Sequence, residues 1–245
     1  MTPFERAFAH LQEDRPQGQF LGGSTGARGY DLPMGRFVGK RGDSRGHIEN
    51  EFDMNRYLNE LGVPVPQAAM QDGLMLTQME EGQEMGHANE QDRKQLARDI
   101  VPHAAIANWD MLGMGRDNVI RRPDGTLSYV DVGGAGAYRA QGAPKGAAFG
   151  PTVGELDTLR DKNRELYNVS DTQLGQSYDH YGGEDAMTQA LNVLRNPNTQ
   201  NIMQERIQDV ARQVAWFNWR VYKPTKKEVL SESKDWETWE ITYHS

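Results

Sequence analysis

Apolar residues in the first part of the chain change their spacing from segment to segment. Phe4, Phe8 and Leu11 recur at helical spacing among charged residues, without the basic start and apolar middle of a secretory signal. Residues 20–21 lead into a glycine-rich stretch, and residues 36–40 form a second short apolar run after turn residues. The pattern predicts two strands separated by a glycine loop.

A helix and a further strand follow. Apolar residues over 48–61 lie on one face of a predicted helix that ends at Gly62, and the prolines of 63–66 require extended backbone. Residues 74–79 read as a buried strand that stops at a predicted hinge over 79–82. The order of strand, glycine loop, strand, helix and strand predicts a small α+β lobe over residues 1–82.

The remainder, residues 83–245, is predicted to be mainly helical. A helix that begins at Gln91 carries an apolar stripe through Ala107. Two short apolar runs, 119–122 and 126–130, flank a Pro-Asp-Gly turn and predict a β-hairpin. A glycine-rich loop over 133–150 follows. The last long helix carries an apolar stripe of Met203, Ile207, Val210, Val214, Phe217 and Val221, which we interpret as core.

Composition excludes several classes of function. The 245 residues suit one domain of two lobes or two small domains that share a cleft. There is no cysteine, so disulfides, thiolate metal sites and a thiol nucleophile are excluded. A net charge of −8 argues against nucleic-acid binding by phosphate neutralisation, and no apolar run is long enough for a membrane span. The six histidines lack the spacing of a zinc site. These features predict an acidic, soluble, globular protein.

Three polar residues form a constellation suited to phosphoryl transfer. A helix delivers Asp110 into a glycine-containing loop, Asn118 begins the hairpin, and Asp131 ends it directly before Gly133 and Gly134. Transfer from ATP needs one carboxylate near the nucleophile and oxygen ligands that hold Mg²⁺ against the phosphates. We therefore predict Asn118 and Asp131 as metal ligands and Asp110 as the catalytic base.

The order of these features resembles the protein-kinase superfamily. Asn118 and Asp131 are 13 residues apart, which is similar to the kinase separation. Asn-Trp-Asp before the loop, Val-Asp-x-Gly-Gly after the hairpin and Gly-Val-Pro-Val-Pro over 62–66 look like atypical bacterial and phage branches. Those branches include HipA-type toxin kinases, lipid-kinase-like proteins and secreted effector kinases. The resemblance covers about residues 18–150 and implies a two-lobed, protein-kinase-like α+β fold.

The resemblance also implies a nucleotide site. Lys40 would hold the α- and β-phosphates and Glu51 would align it, with Glu49 as the competing helix glutamate. The predicted nucleotide contacts are the loop residues Gly22, Gly23, Ser24, Thr25 and Gly26 together with Lys40 and the hinge residues Met79, Glu80 and Glu81.

Two departures from the kinase pattern leave alternatives open. No His-Arg-Asp is present, and Asp110 precedes Asn118 by eight residues where kinases have five, with Gly113 at the five-residue position. Asp117 therefore competes with Asp110 as the base, although neighbours on an extended strand point to opposite sides. The glycine loop is also shorter and more polar than the kinase motif.

The resemblance implies an ATP- and Mg²⁺-dependent phosphotransferase, foremost a minimal atypical protein serine/threonine kinase of bacterial effector or toxin type. It would act on a protein substrate in the cytoplasm, of its own cell or of a cell into which it is delivered. The alternatives are a small-molecule or lipid kinase, a phosphotransferase variant that moves AMP, and a nucleotide-binding pseudokinase. Arg139 and Lys145 could contact phosphate or substrate, but we interpret them as surface charge. The tail residues Trp236, Trp239, Ile241 and Tyr243 either pack on the domain or dock a partner.

Overall fold

A computed structural model of the protein describes residues 1–22, 26–42, 44–166 and 168–221. The N-terminal part contains helix α1 (Pro3–Glu13), strands β1 (Gln19–Gly22), β2 (Ala27–Leu32) and β3 (Gly35–Lys40), helix α2 (Arg45–Glu60), and strands β4 (Ala68–Gln71) and β5 (Leu74–Gln78). The five strands form an antiparallel sheet in the order β1-β2-β3-β5-β4. The predicted strands and helix of this lobe are confirmed, and β2 and β4 are additions.

The sheet carries a helix on each face. On one face, α1 packs Ala7 and Phe8 against Phe37, Leu74 and Leu76. On the other face, Ile48 and Phe52 of α2 pack against Met75. Because Lys40 pairs with Met75 across β3 and β5, its side chain lies on the same face as α2.

Local sequence explains where both helices begin. Thr2 and Glu5 form a capping box at α1, with each side chain accepting a hydrogen bond from the other residue's backbone N–H. The Ser44 hydroxyl accepts a hydrogen bond from the His47 N–H, so α2 begins at Arg45, three residues before the predicted start. The early start places His47 on the helix, next to the candidate site.

The second part is mostly helical, as predicted. A small antiparallel sheet is formed by β6 (Gln83–Glu84), β7 (Val119–Arg121) and β8 (Leu127–Tyr129). The helices are α3 (Glu90–Ala105), α4 (Glu155–Lys162), α5 (Asp171–His180), α6 (Gly183–Ala190) and α7 (Pro197–Val221), with 3₁₀ turns at Gly146–Ala148 and Leu191–Val193. The predicted stripe on α7 is buried from Met203 through Phe217, and the side chain of Val221 lies outside the described part.

One continuous core joins α2 to this second part. Met54, Tyr57 and Leu58 of α2 are fully buried in the same cluster as apolar residues of α3, β7 and α7. Helix α2 therefore contacts the sheet with one face and the helical part with another. The lobe boundary at residue 82 stays a prediction, and β6 just beyond it pairs with β7. None of the described helices is long and apolar enough to cross a membrane.

A buried arginine connects α7 to the segment that precedes α4. The guanidinium of Arg206 is fully buried and lies 2.7 Å from Glu155 Oε2. It also donates to the carbonyl oxygens of Ala104, Ala105, Gly150 and Thr152. Because every donor direction finds an acceptor, this charge can remain buried.

We predict that Arg206→Met destabilises the protein strongly. It would leave the Glu155 carboxylate and four carbonyl groups without their cation, and breaking a buried pair from one side costs about 3–5 kcal/mol. Arg212→Met on the same helix is the control, because its ion pair with Asp209 is exposed and worth at most about 1 kcal/mol. Urea denaturation of the three proteins tests the difference, and equal losses would contradict it.

Candidate active site

The centre of the site is a buried lysine with two carboxylates. Lys40 at the end of β3 places Nζ 2.6 Å from Glu51 Oε1 and 3.3 Å from Asp131 Oδ1. The Lys40 and Glu51 side chains are 7% and 1% exposed, whereas that of Asp131 is 43% exposed. The structure thus brings together Lys40, Glu51 and Asp131, three residues predicted from sequence. The competing Glu49 instead pairs with Arg45 one turn earlier on α2, at 2.7 Å.

The charges of this group support one another. Burial alone would lower the pKa of Lys40, but Asp131 and Glu51 outweigh it and raise that pKa. Burial would raise the pKa of Asp131, but the Lys40 ammonium and the Gly133 N–H hold it below its ordinary value. Burial and the charge of Asp131 raise the pKa of Glu51 in spite of Lys40. Lys40 is therefore held as a cation and Asp131 as an anion.

Helix α2 also holds the backbone after Asp131. The Asn50 amide donates to the Ala135 carbonyl at 2.8 Å and accepts from the Ala137 N–H at 3.0 Å. His47 Nε2 lies 2.9 Å from the Gly133 carbonyl oxygen. These residues escaped sequence reasoning because their partners lie more than 80 positions away, and only the helical spacing of His47, Asn50 and Glu51 could have indicated them.

The backbone two residues after Asp131 leaves little room for a side chain larger than that of glycine. A Cβ at Gly133 would lie 3.1 Å from both Asp131 Oδ1 and Glu51 Oε2. The Gly133 N–H donates to Asp131 Oδ1 at 2.9 Å, so this backbone both approaches and orients the carboxylate. The close approach explains the Asp-x-Gly pattern in this chain.

Asp110 and Asn118 lie on the other side of Asp131. The Asn118 carbonyl accepts from the Val130 N–H at 2.9 Å, which places Asn118 and Asp131 at the open end of the β7–β8 hairpin. The Asn118 side chain donates to the Asp110 carbonyl oxygen at 2.6 Å. Gly134 lies against Asp110, because a Cβ there would be 3.4 Å from Asp110 Cβ. The three predicted residues therefore surround one location.

Asp110 differs from its competitor Asp117 in environment. Burial, then the charges of Asp131 and Asp117, raise the pKa of Asp110, and the Asn118 amide opposes them. Asp110 is partly buried, whereas Asp117 is exposed on the loop before the hairpin. A raised pKa suits a carboxylate that must accept a proton near neutral pH. The assignment of the base nevertheless stays a prediction.

The oxygen donors fit a magnesium ion. In the described part of the chain, no protein group bonds Asp131 Oδ2 or Asn118 Oδ1. The bonds that these two side chains make involve Asp131 Oδ1 and the Asn118 amide nitrogen. Mg²⁺ prefers such oxygens and completes its octahedron with water and phosphate. The described residues contain no cluster of three or more His, Asp or Glu that would by itself hold a metal.

The predicted nucleotide loop is described only at its ends. Gly22 and Gly26 have φ of 100° and 63°, conformations that favour glycine, and a Cβ at either would meet open space. Gly23, Ser24 and Thr25 lie outside the described residues. The side chains of Leu21 and Met79 lie close to Gly29, because a Cβ at Gly29 would be 3.1–3.5 Å from them, on the face of the sheet that also carries Val38 and Lys40. This apolar surface suits a nucleotide base.

The hinge is only partly available to a ligand. The Met79 N–H donates to the Arg36 carbonyl at 2.9 Å. The Glu80 carboxylate accepts two hydrogen bonds from Arg122, at 2.8 and 2.7 Å, so its side chain is paired within the protein. Glu81 is exposed. The nucleotide contacts predicted for these three residues remain predictions.

One interpretation from sequence is wrong. Lys145, read as surface charge, is 5% exposed and donates to the carbonyl oxygens of Ala107 and Gly134. Its neighbours in sequence are glycine, alanine and proline, which carry no periodic apolar pattern that would signal burial. Arg139 is exposed as expected, with its guanidinium 5.4 Å from the centre of the Trp109 ring.

Comparison with known proteins gives two similar solved structures. No protein-family model and no curated protein sequence matches this chain. The Helicobacter pylori proinflammatory kinase CtkA is 10% identical, with 82% of this chain and 95% of that chain covered and a TM-score of 0.51. The Shewanella oneidensis MR-1 toxin–antitoxin complex of HipA, HipB and operator DNA is 8% identical, with 88% and 71% covered and a TM-score of 0.38. The likeness to CtkA, together with the sheet and helical part described above, shows that the chain has the two-lobed protein-kinase-like fold.

Proposed function

We propose that this chain is an ATP- and Mg²⁺-dependent phosphotransferase, foremost a minimal atypical protein serine/threonine kinase of bacterial effector or toxin type. The observation that carries the proposal is the buried Lys40 ammonium bonded at once to Glu51 and Asp131. A cation held between a helix glutamate and a metal-binding aspartate is the arrangement that kinases use to receive the phosphates.

The remaining residues take roles around that cation. Lys40 contacts the α- and β-phosphates, and Glu51 fixes the lysine in place. Asp131 and Asn118 hold Mg²⁺, which supplies charge neutralisation at the phosphates when bound. Asp110 accepts the proton of an acceptor hydroxyl as its oxygen attacks the γ-phosphorus and the bond to ADP breaks.

The acceptor side offers room for a protein side chain. A cavity of about 300 Å³ beside Asp110 is lined by Leu112, Gly113, Met114, Arg116, Asn163, Arg164 and Glu165. It opens to solvent through Met114, whose side chain is fully exposed. An open cavity beside Asp110 leaves space for a hydroxyl carried on a polypeptide, and a small-molecule acceptor is the alternative outcome of the experiments below.

We predict that ATP with Mg²⁺ raises the melting temperature. A ligand that binds only the folded state stabilises it by about 2.7 kcal/mol at a hundredfold excess over its Kd. Asp131→Ala should abolish the magnesium-dependent part of this rise because it removes a metal ligand, whereas Asp161→Ala on the exposed surface of α4 should keep it. The measurement is differential scanning fluorimetry with and without Mg²⁺, and no shift under any condition would refute nucleotide binding.

A second prediction separates the two candidate bases. Asp110→Asn should lower label transfer from γ-labelled ATP into lysate proteins by about 10²–10⁴-fold while ATP binding stays near normal, because a base acts in the transition state. Asp117→Asn should have a much smaller effect, since its side chain is exposed. The reverse ranking would assign the base to Asp117. Label found only in small molecules would favour the small-molecule kinase.

A third prediction concerns the loop between Asp110 and Asn118. Gly113 has φ of 73°, and an added Cβ would overlap Asp117 Oδ1 and lie 3.0 Å from Asn118 Cγ. Gly113→Ala should therefore displace Asn118 and reduce the magnesium-dependent stabilisation by ATP.

The matched control is Gly73→Ala. Gly73 has φ of 74°, but a Cβ there meets nothing within 4 Å. Both variants carry the same backbone strain, about 1–2 kcal/mol, and Gly113→Ala adds the overlap with Asp117 and Asn118, so Gly73→Ala measures the effect of the strain alone. Equal ATP responses in the two variants would show that Asn118 does not contribute to metal binding.

A further inference from the structure

Lys145 is buried between the two segments that carry Asp110 and Asp131. Its Nζ lies 2.6 Å from the carbonyl oxygen of Ala107, three residues before Asp110, and 2.7 Å from that of Gly134, three residues after Asp131. The same ammonium lies 4.8 Å from the centre of the Trp109 ring. One side chain thus connects the catalytic loop to the metal-binding loop.

Both carbonyl groups belong to backbone that needs support. Ala107 has φ of 53°, in the left-handed region where a residue with a Cβ is strained. Gly134 lies directly against Asp110, so a shift of its peptide would move the carboxylate. An ammonium that donates hydrogen bonds to both carbonyl oxygens fixes these two peptides relative to each other.

The surroundings of Lys145 contain one carboxylate and two guanidinium groups. Glu155 accepts from Trp109 Nε1 at 2.6 Å and is paired with Arg206, so it does not bond Lys145 itself. The Arg139 guanidinium lies 5.4 Å from the centre of the same Trp109 ring. The lysine therefore depends on carbonyl oxygens and an aromatic face rather than on an ion pair.

We propose that Lys145 is a positioning residue, whose ammonium sets the distance between Asp110 and Asp131 and is required for phosphoryl transfer but not for ATP binding. The inference rests on the proposed function. It does not require Lys145 to touch the nucleotide or the acceptor, because it acts through the backbone of Ala107 and Gly134.

The position of the lysine gives the site a pH dependence. Burial lowers the pKa of Lys145 to about 7, with Glu155 opposing the shift and Arg206 and Arg139 adding to it. The ammonium is therefore present below about pH 7 and lost above it. The charge-assisted hydrogen bonds and the contact with Trp109 weaken on deprotonation, so transfer should decline as pH rises through about 7.

The test compares Lys145→Met, which keeps the aliphatic stem, with wild type and with Lys94→Met. Lys94 is the control because its side chain is 75% exposed and forms an ion pair with Glu90 on the surface of the same helix. We expect the maximal rate of label transfer from γ-labelled ATP into lysate proteins to fall at least about tenfold in Lys145→Met, with the Kd for ATP and Mg²⁺ unchanged and Lys94→Met equal to wild type. A Lys145→Met variant that transfers label at the wild-type rate overturns the inference.

The dependence of the transfer rate on pH tests the role of Lys145 even if the Lys145→Met variant fails to fold. Wild type should lose activity on the alkaline side with an apparent pKa near 7. Lys145→Arg, which stays charged, should lose that limb. A wild-type profile flat over about pH 6–9, or a limb that persists in Lys145→Arg, contradicts the role assigned to Lys145. A wild-type protein that binds ATP but transfers no label under any condition overturns the proposed function instead, and the inference with it.

Discussion

The site depends on keeping a lysine charge out of water. A buried ammonium needs partners that compensate for its lost hydration, and for Lys40 the carboxylates of Glu51 and Asp131 do so from two different parts of the chain. Glu51 is itself 1% exposed, and without Lys40 its buried carboxylate would have no compensating cation. The three charges are mutually dependent, so the sheet, α2 and the β7–β8 hairpin must adopt one relative arrangement.

Helix α2 enforces that arrangement from several sides. Its residues bond Gly133, Ala135 and Ala137 of the loop that follows Asp131. Asp53 on the same helix accepts from Arg195 at 2.6 Å, next to the start of α7. Because α2 is fixed at the sheet, at the loop and at the helical part, the position of Glu51 does not rest on its ion pair alone. Several independent contacts of α2 thus fix the position of the Glu51 carboxylate.

Features of the site that rest on local sequence signals could be predicted, whereas features that rest on contacts between distant parts of the chain could not. The order of elements and the choice of Lys40, Glu51 and Asp131 could be predicted, because periodicity and glycine turns are local signals. The burial of Lys145 could not, since its partners are backbone carbonyls that any sequence supplies, one of them 38 positions away. Strand β4 was missed because its apolar run is only three residues long, Ala68 to Met70, and β2 was missed because its six residues include Arg28, Gly29 and Asp31. Residues 23–25 and 222–245 lie outside the described part, so the predicted loop contacts and tail packing stay predictions.

The unusual spacing between Asp110 and Asn118 shows how the fold tolerates a departure from the kinase pattern. The three additional residues are accommodated in a loop where Gly113 and Arg116 both have positive φ, 73° and 65°. The two ends of the loop remain joined, because the Asn118 amide donates to the Asp110 carbonyl at 2.6 Å. The extra length therefore bulges outward at the exposed Met114 instead of separating the two residues. Since that bulge also lines the cavity beside Asp110, the same insertion that departs from the motif shapes the surface that an acceptor would meet.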